Sequence, residues 1–232
     1  MYFTSLPDNT DPEFDESSHF KKFKKHNIIF NAESSYSHCE NHVGCLSFKT
    51  VLSGEEWYNI GNQKLAVRPG QFLILNDDQN YSCYINNDER VKVVSVFFKK
   101  EFASSVFGDA LCSEEKLLQN PSDVASNSLE FFQTLYNIDN GLKMQLRHLI
   151  SALNNHGYDS NMVDEYLVFL LHHLIRVNKS ESKRAKNVDA IKSITKTEIY
   201  KRLCIAKDIL HSSYMDKQDL NMISNIACLS VP

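Results

Sequence analysis

The stretch from Leu46 to Phe98 constrains this chain most. It is a series of short runs rich in β-branched and aromatic residues, each bounded by turn formers. The runs are Leu46–Ile60, Lys64–Asn76, Tyr81–Ile85 and Val91–Phe98, the first two themselves interrupted by turn formers. Within and between them lie Ser53-Gly54, Gly61-Asn62, Pro69-Gly70, Asn76-Asp77-Asp78 and Asn86-Asn87-Asp88. Strands this short, at this regular spacing, predict an antiparallel barrel or sandwich. Proline pre-sets φ at the second turn position and glycine supplies positive φ at the third, so Arg68-Pro-Gly-Gln is expected to be a tight type II turn.

With 232 residues, the chain can build one large or two modest domains. A formal net charge of -4 argues against nucleic-acid binding through bulk electrostatics, while leaving room for one local basic face. No apolar run reaches the length of a membrane span, and the N-terminus lacks a signal-peptide pattern, so the expected setting is cytoplasmic, without membrane. The six cysteines include no Cys-x-x-Cys pair and are read as reduced thiols acting as small hydrophobes. His38-Cys-Glu-Asn-His42 carries competent metal ligands, but the later strands offer no histidine to complete a set. No metal and no cofactor are therefore expected.

Residues 1–26, with acids at 8–16 followed by Lys21, Lys22, Lys24 and Lys25, read as a flexible arm feeding Asn27–Phe30 into an edge strand. Past Phe98 the period changes. Lys99–Gly108 could form a short helix ended by its glycine. Residues 109–121 read as an excursion closed by Asn120-Pro121. Leu129, Phe132 and Tyr136 repeat at helical spacing, as do Leu142, Leu146, Leu149 and Leu153, with Gly157 as the cap. A further helix from Ser160 is apolar over more than one face, from Val163 to Ile175, which suggests a partner helix. His172 and His173 read as ordinary boundary residues. Residues 179–187 are polar without period and are taken as a linker. The expected division is 27–178 for the first domain and 188–232 for the second.

In the last segment, Thr195-x-x-Glu198 is a capping-box signature. Ile199, Leu203, Ala206, Ile209 and Leu210 form an apolar stripe, and Leu220, Ile223, Ile226 and Ala227 are read as inward-facing on the next helix. Ser230-Val-Pro reads as the N-cap of another helix, so the segment looks cut. Asp219-Leu-x-x-Ile-Ser-x-Ile-Ala-Cys-Leu-Ser230 resembles the first helix-turn-helix of AraC/XylS-type transcriptional regulators, with Leu220, Ile223, Ala227, Leu229 and Ser230 as its scaffold positions. Gly54–Ile60, Val67–Asn76 and Gln79-x-Tyr81 resemble, in order, that family's cupin-like sensor domain. Ser224 stands where the family usually has alanine.

The resemblance implies an α+β chain: a cupin-like antiparallel β-barrel, dimerisation helices, then an incomplete all-α helix-turn-helix segment. It implies an unidentified small-molecule effector, a homodimer through the helices near 142–153 and 160–178, and DNA as partner of a full-length form. Without a recognition helix, only backbone contacts through Lys201, Arg202 or Lys217 are expected. Strand alternation nominates Tyr58, Ile60, Ser82, Tyr84, Val93, Ser95 and Phe97 as pocket candidates. Arg68 would meet an anionic effector only if inward, and its turn position favours solvent. Two rivals are a metal-dependent cupin enzyme, which needs a His-x-His cluster this chain lacks, and a dimerising fragment that inhibits a full-length homologue. No catalytic residue is assigned, because no nucleophile elbow, phosphate loop or paired carboxylate stands out.

Overall fold

A computed structural model describes residues 1–7, 14–111, 129–213 and 219–230. Within them the chain is α+β, with eight strands in one sheet and six helices. The strands are β1 (Tyr2–Phe3), β2 (Ile28–Val43), β3 (Ser47–Ser53), β4 (Glu56–Ile60), β5 (Gln63–Val67), β6 (Gln71–Leu75), β7 (Asn80–Phe97) and β8 (Leu135–Asn137). The helices are α1 (Glu16–Lys25), α2 (Lys100–Leu111), α3 (Asn140–His156), α4 (Ser160–Lys186), α5 (Ser193–Ser212) and α6 (Leu220–Ala227).

The two long strands organise the sheet. β2 lies antiparallel along the length of β7, from Ile28 opposite Phe97 to Val43 opposite Asn80. The other edge of β7 is shared: its second half pairs with β3, and Ser82–Tyr84 pair with β4. Register shifts between Ser34 and Tyr36, and between Cys39 and His42, mark the irregularities by which such long strands bend. The β3–β4 turn requires glycine. Gly54 has φ +72°, and a Cβ there would lie 2.8 Å from Val91 Cγ2. At the expected type II turn, Gln71 N–H donates to Arg68 C=O at 2.9 Å, and Gly70 has φ +85°.

The sheet is antiparallel, apart from the parallel β1–β2 pair, but it is not a closed barrel. In the order β1-β2-β7-β3-β6-β8, the β4–β5 hairpin branches from β7, and β5 pairs only with β4. The outer edge of β5 is taken instead by α5, where Ala66 N–H donates to Ser212 Oγ at 3.0 Å. A helix covering an edge satisfies its amides as a neighbouring strand would.

Alternation divides the sheet's side chains. Phe48, Phe72, Ile74, Val96 and Phe98 pack against α2, α3 and α4 in the main core, where Leu167, Leu171 and Leu174 are fully buried. Their neighbours Lys49, Leu73, Leu75, Ser95 and Phe97 face the other way, into the hollow of the sheet.

Several sequence expectations are corrected. Residues 14–26 of the expected arm hold α1, with Asp15 as N-cap, and its Phe23 is buried against Phe30 and Phe97. Asn86-Asn87-Asp88 is not a turn but lies inside β7. Helix α2 runs past Gly108 to Leu111. Leu129, Phe132 and Tyr136 form no helix; Tyr136 belongs to β8, which pairs with β6. The expected linker 179–187 is helical as far as Lys186, because Glu181 and Ala185 are buried and anchor the extra turns. The excursion at 109–121 lies outside the described residues from 112 onward. Gly157 does end α3, with φ +74°, and Asp159 caps α4 through Met162 N–H at 2.8 Å.

Candidate functional site

The hollow of the sheet narrows to a small cavity walled by α1, β2, β3 and β7. Lys49 reaches it from β3, His42 and Cys39 from β2, and Tyr81, Cys83, Ser95 and Phe97 from β7. Lys49 is inward because Phe48 and Thr50 point the other way on the same strand. Only 3% of the residue is exposed, and its ammonium lies 3.4 Å from the centre of the Phe97 ring and 5.7 Å from that of Tyr81. Among the described residues no ion pair reaches it. Burial lowers its pKa, an effect opposed mainly by Cys83 and Glu56. Glu56 is equally enclosed and accepts a hydrogen bond from Tyr58 Oη at 2.7 Å. Burial raises its carboxyl pKa, with Lys49 and the Tyr58 hydroxyl pulling it back. The Lys49 amine thus lies against aromatic faces in place of water.

Helix α1 closes the cavity. Phe20 stacks on His42 at 4.0 Å between centroids, and Phe23 meets Phe97 edge-on at 4.6 Å. Burial, with Lys49 nearby, pushes His42 down to about 4. The space left is about 70 Å³, well under the roughly 300–1,000 Å³ of small-molecule pockets.

A second constellation lies on the outside of the sheet, where α5 docks. Arg68 is the clamp: Nε donates to Glu55 Oε2 at 2.9 Å, Nη1 to His211 C=O at 2.8 Å and Nη2 to Ser212 C=O at 2.8 Å. Carbonyls at a helix C-terminus lack helical partners and carry the negative end of the dipole, so a guanidinium suits them. Asp208 is fully buried, accepts from Leu135 N–H at 3.0 Å and pairs with Lys207 at 3.1 Å. Burial raises its pKa, with Lys207 opposing most strongly. Lys207 Nζ also donates to Thr134 Oγ1 and to Leu135 C=O. Glu55 and Glu56 are adjacent, one on the clamp and the other in the cavity.

The nominated pocket residues divide. Ser95 and Phe97 line the cavity. Tyr58 and Ile60 are buried beside it, Tyr58 meeting its wall at Glu56 and Tyr81. Val93 packs farther along, with Ala32, Val51, Ile85 and Val91. Ser82 and Tyr84 point away: Ser82 Oγ accepts from Asn41 N–H, and Tyr84 stacks on Trp57. Since β7 is continuous, its odd-numbered residues face inward at both ends, Tyr81–Ile85 and Val91–Phe97, and a turn assumed at 86–88 switches the parity. Sequence reasoning missed Lys49, Glu56 and Asp208. A lysine between Phe48 and Thr50 in an apolar strand was the available signal for the first.

In α5, Lys201 Nζ pairs with Glu130 at 3.2 Å, and Arg202 pairs with Glu198 at 3.1 Å and donates to Cys228 C=O. Lys217 lies outside the described residues. Thr195 is not an N-cap, since α5 already starts at Ser193. Ile223 and Ala227 are buried and Leu229 partly so, whereas Leu220 and Ser230 are exposed. Leu203 and Leu210 are exposed too, and the buried side of α5 carries Cys204, Asp208, Ile209 and Ser212. Cys228 ends α6 in the left-handed region (φ 52°), with Leu229 N–H donating to Ser224 C=O. His38 lines the cavity together with His42, is half exposed, and pairs with Glu40 at 3.3 Å. Among the described residues no group of three or more His, Cys, Asp or Glu is arranged to hold a metal, and no helix is long and apolar enough to cross a membrane.

No protein-family model and no curated protein matches the chain. Solved structures do. The chain is similar to ToxT. An apo ToxT variant from Vibrio cholerae aligns at 13% identity over 88% of this chain and 70% of that one, with a TM-score of 0.44. ToxT bound to (E)-4-(8-methylnaphthalen-1-yl)but-3-enoic acid aligns at 13% identity over 88% and 72%, with a TM-score of 0.41. The AraC-like transcriptional activator CuxR aligns at 11% identity over 84% and 63%, with a TM-score of 0.38. Likenesses of this size carry no functional assignment.

Proposed function

We propose that this chain is an effector-responsive regulator of AraC/XylS type, in which the sheet with α1–α4 is the sensor and α5–α6 open the DNA reader. The observation that carries the proposal is Lys49, a buried lysine that makes no ion pair among the described residues and sits at the wall of an aromatic cavity. Such a group suits the carboxylate of a small apolar acid, whose charge would replace the missing ion pair while its apolar body meets Phe20, Phe23 and Phe97. The cavity as it stands is too small for such a body, so α1 acts as a flap that lifts on binding.

The signal leaves through the Glu55–Glu56 dipeptide. An acid seated on Lys49 competes with Glu56, and a shift of the start of β4 moves Glu55 and, with it, the Arg68 clamp on α5. DNA as a partner rests on the sequence resemblance from Asp219 to Ser230 and on the way α6 ends. Pairing of two copies through α3 and α4 is part of the same reading, supported by Met144 and Phe169, each at least half exposed on these helices.

The test is titration of the chain with monocarboxylates, from benzoate to an unsaturated fatty acid, followed by the fluorescence of the single tryptophan, Trp57. Binding should weaken at least tenfold in Lys49→Met and for the methyl ester of the best acid. Equal binding of acid and ester, or an unaffected Lys49→Met, would overturn the proposal.

A further inference from the structure

Cys39 on β2 and Cys83 on β7 are direct register partners. Facing residues of an antiparallel pair have Cα atoms about 4.5–5.5 Å apart, within the span of about 4.4–6.8 Å that a disulfide bridges. Both side chains turn to the same side, into the cavity that holds Lys49. The two thiols are close enough that Cys39 raises the pKa of Cys83. Neither strand has to move by a residue for the sulfurs to meet. His38, opposite Tyr84 one position along, also lines the cavity and pairs with Glu40.

We propose that Cys39 and Cys83 form a reversible cross-strand disulfide under hydroperoxide, making the cavity wall a redox-sensitive modification site. The chemistry is balanced. One sulfur, as thiolate, displaces hydroxide from hydrogen peroxide and becomes a sulfenic acid. The second sulfur attacks it, the S–S bond forms, and the sulfenic oxygen leaves as water. In total two thiols lose two protons and two electrons, and one peroxide becomes two waters. Reduction by a small dithiol reverses the step by exchange. Lys49 lines the same cavity and favours the thiolate that starts the reaction. The neighbouring Cys39 and then burial oppose it and keep Cys83 well above the usual thiol range, so the reaction is slower than that of a free surface thiol. A third thiol, Cys45, which burial pushes up to about 11, has no facing cysteine.

The bond would tie β2 to β7 just before the irregularity between Cys39 and His42, the stretch that carries the partner of Phe20. An oxidised wall would therefore hold His42 and the flap in place. The site lies in the cavity of the proposed sensor, but the test reads bond formation without any ligand, so its failure is distinct from failure of the effector reading.

The full chain is reduced, freed of reductant, treated with excess hydrogen peroxide, and examined by intact mass and peptide mapping. The expected result is a loss of 2 Da, a fall from six titratable thiols to four, and one linked peptide pair containing Cys39 and Cys83. Dithiothreitol should reverse all three changes. The link should vanish in Cys39→Ser and in Cys83→Ser and persist in Cys45→Ser; the wild-type map stands even if a variant folds poorly. Six thiols still titratable, gains of 16 or 32 Da without a link, or a link through any other cysteine would overturn the proposal.

Discussion

Helices α4 and α5 both pack on the sheet assembly, but by different physics. Helix α4 presents Val163, Leu167, Leu171 and Leu174, none with exposed surface, to Phe72, Val96 and their neighbours. Helix α5 presents Cys204, Asp208 and Ser212 to the edge of β5 and the start of β8, and is held by directed hydrogen bonds from Ala66, Arg68 and Leu135. Each fully buried leucine is worth roughly 1.5–3 kcal/mol of non-directional burial that small displacements hardly change. Each hydrogen bond is worth about 0.5–1.5 kcal/mol net and depends steeply on geometry. The apolar contact builds the fold. The polar contact can be released by a small movement, which is what the proposed coupling between sensor and reader needs.

The largest expected effect tests the apolar side. Leu171→Ala should destabilise the whole domain by about 2–5 kcal/mol in urea denaturation, since a fully buried leucine leaves a cavity. A loss under 1 kcal/mol would mean that α4 is as loosely held as α5, and the contrast would fail.

Arg68→Met should cost less, about 1–2 kcal/mol, and should act locally. Hydrogen exchange at Ala66 and along the end of α5 should speed up while the amides of β3 and β7 keep their protection. If protection fell everywhere together, the α5 contact would be part of the global core.

The smallest effect concerns the flap. The pKa of His42 in the folded chain is lowered from 6.5 to about 4, so between these values the unfolded chain binds more protons. Stability should therefore be highest above pH 6.5 and decline as pH falls through about 4. The partial exposure of the ring keeps the change small. His42→Gln should flatten that part of the profile of thermal midpoint against pH, and an unchanged profile would place the acid sensitivity elsewhere.

The legible parts of the fold were those set by local chemistry. Turn formers at Gly54, Gly61 and Pro69-Gly70, the cap at Gly157 and the leucine period of α3 and α4 each act within a few residues. The Asn86–Asp88 stretch misled because three turn formers in a row look alike in a turn and in the middle of an 18-residue strand. That one error moved Ser82 and Tyr84 into the expected pocket and left Tyr81 and Cys83 out. The linker at 179–187 misled for a related reason: its polar composition hides Glu181 and Ala185, which find burial only when α5 lies beside them. Glu181 then pairs with Arg184 at 2.9 Å and accepts from Tyr200 Oη.

By itself, then, the sequence determined the element types in the middle of the chain, the tight turns, and the apolar face that α4 would bury, because periodicity and turn chemistry are local. Only the tertiary structure decided that the sheet stays open and that a polar face of α5 seals its edge. It alone set Lys49 against Phe97 and Cys39 against Cys83. These depend on long-range register and on which backbone groups lack a partner, and no window of neighbouring residues contains that information.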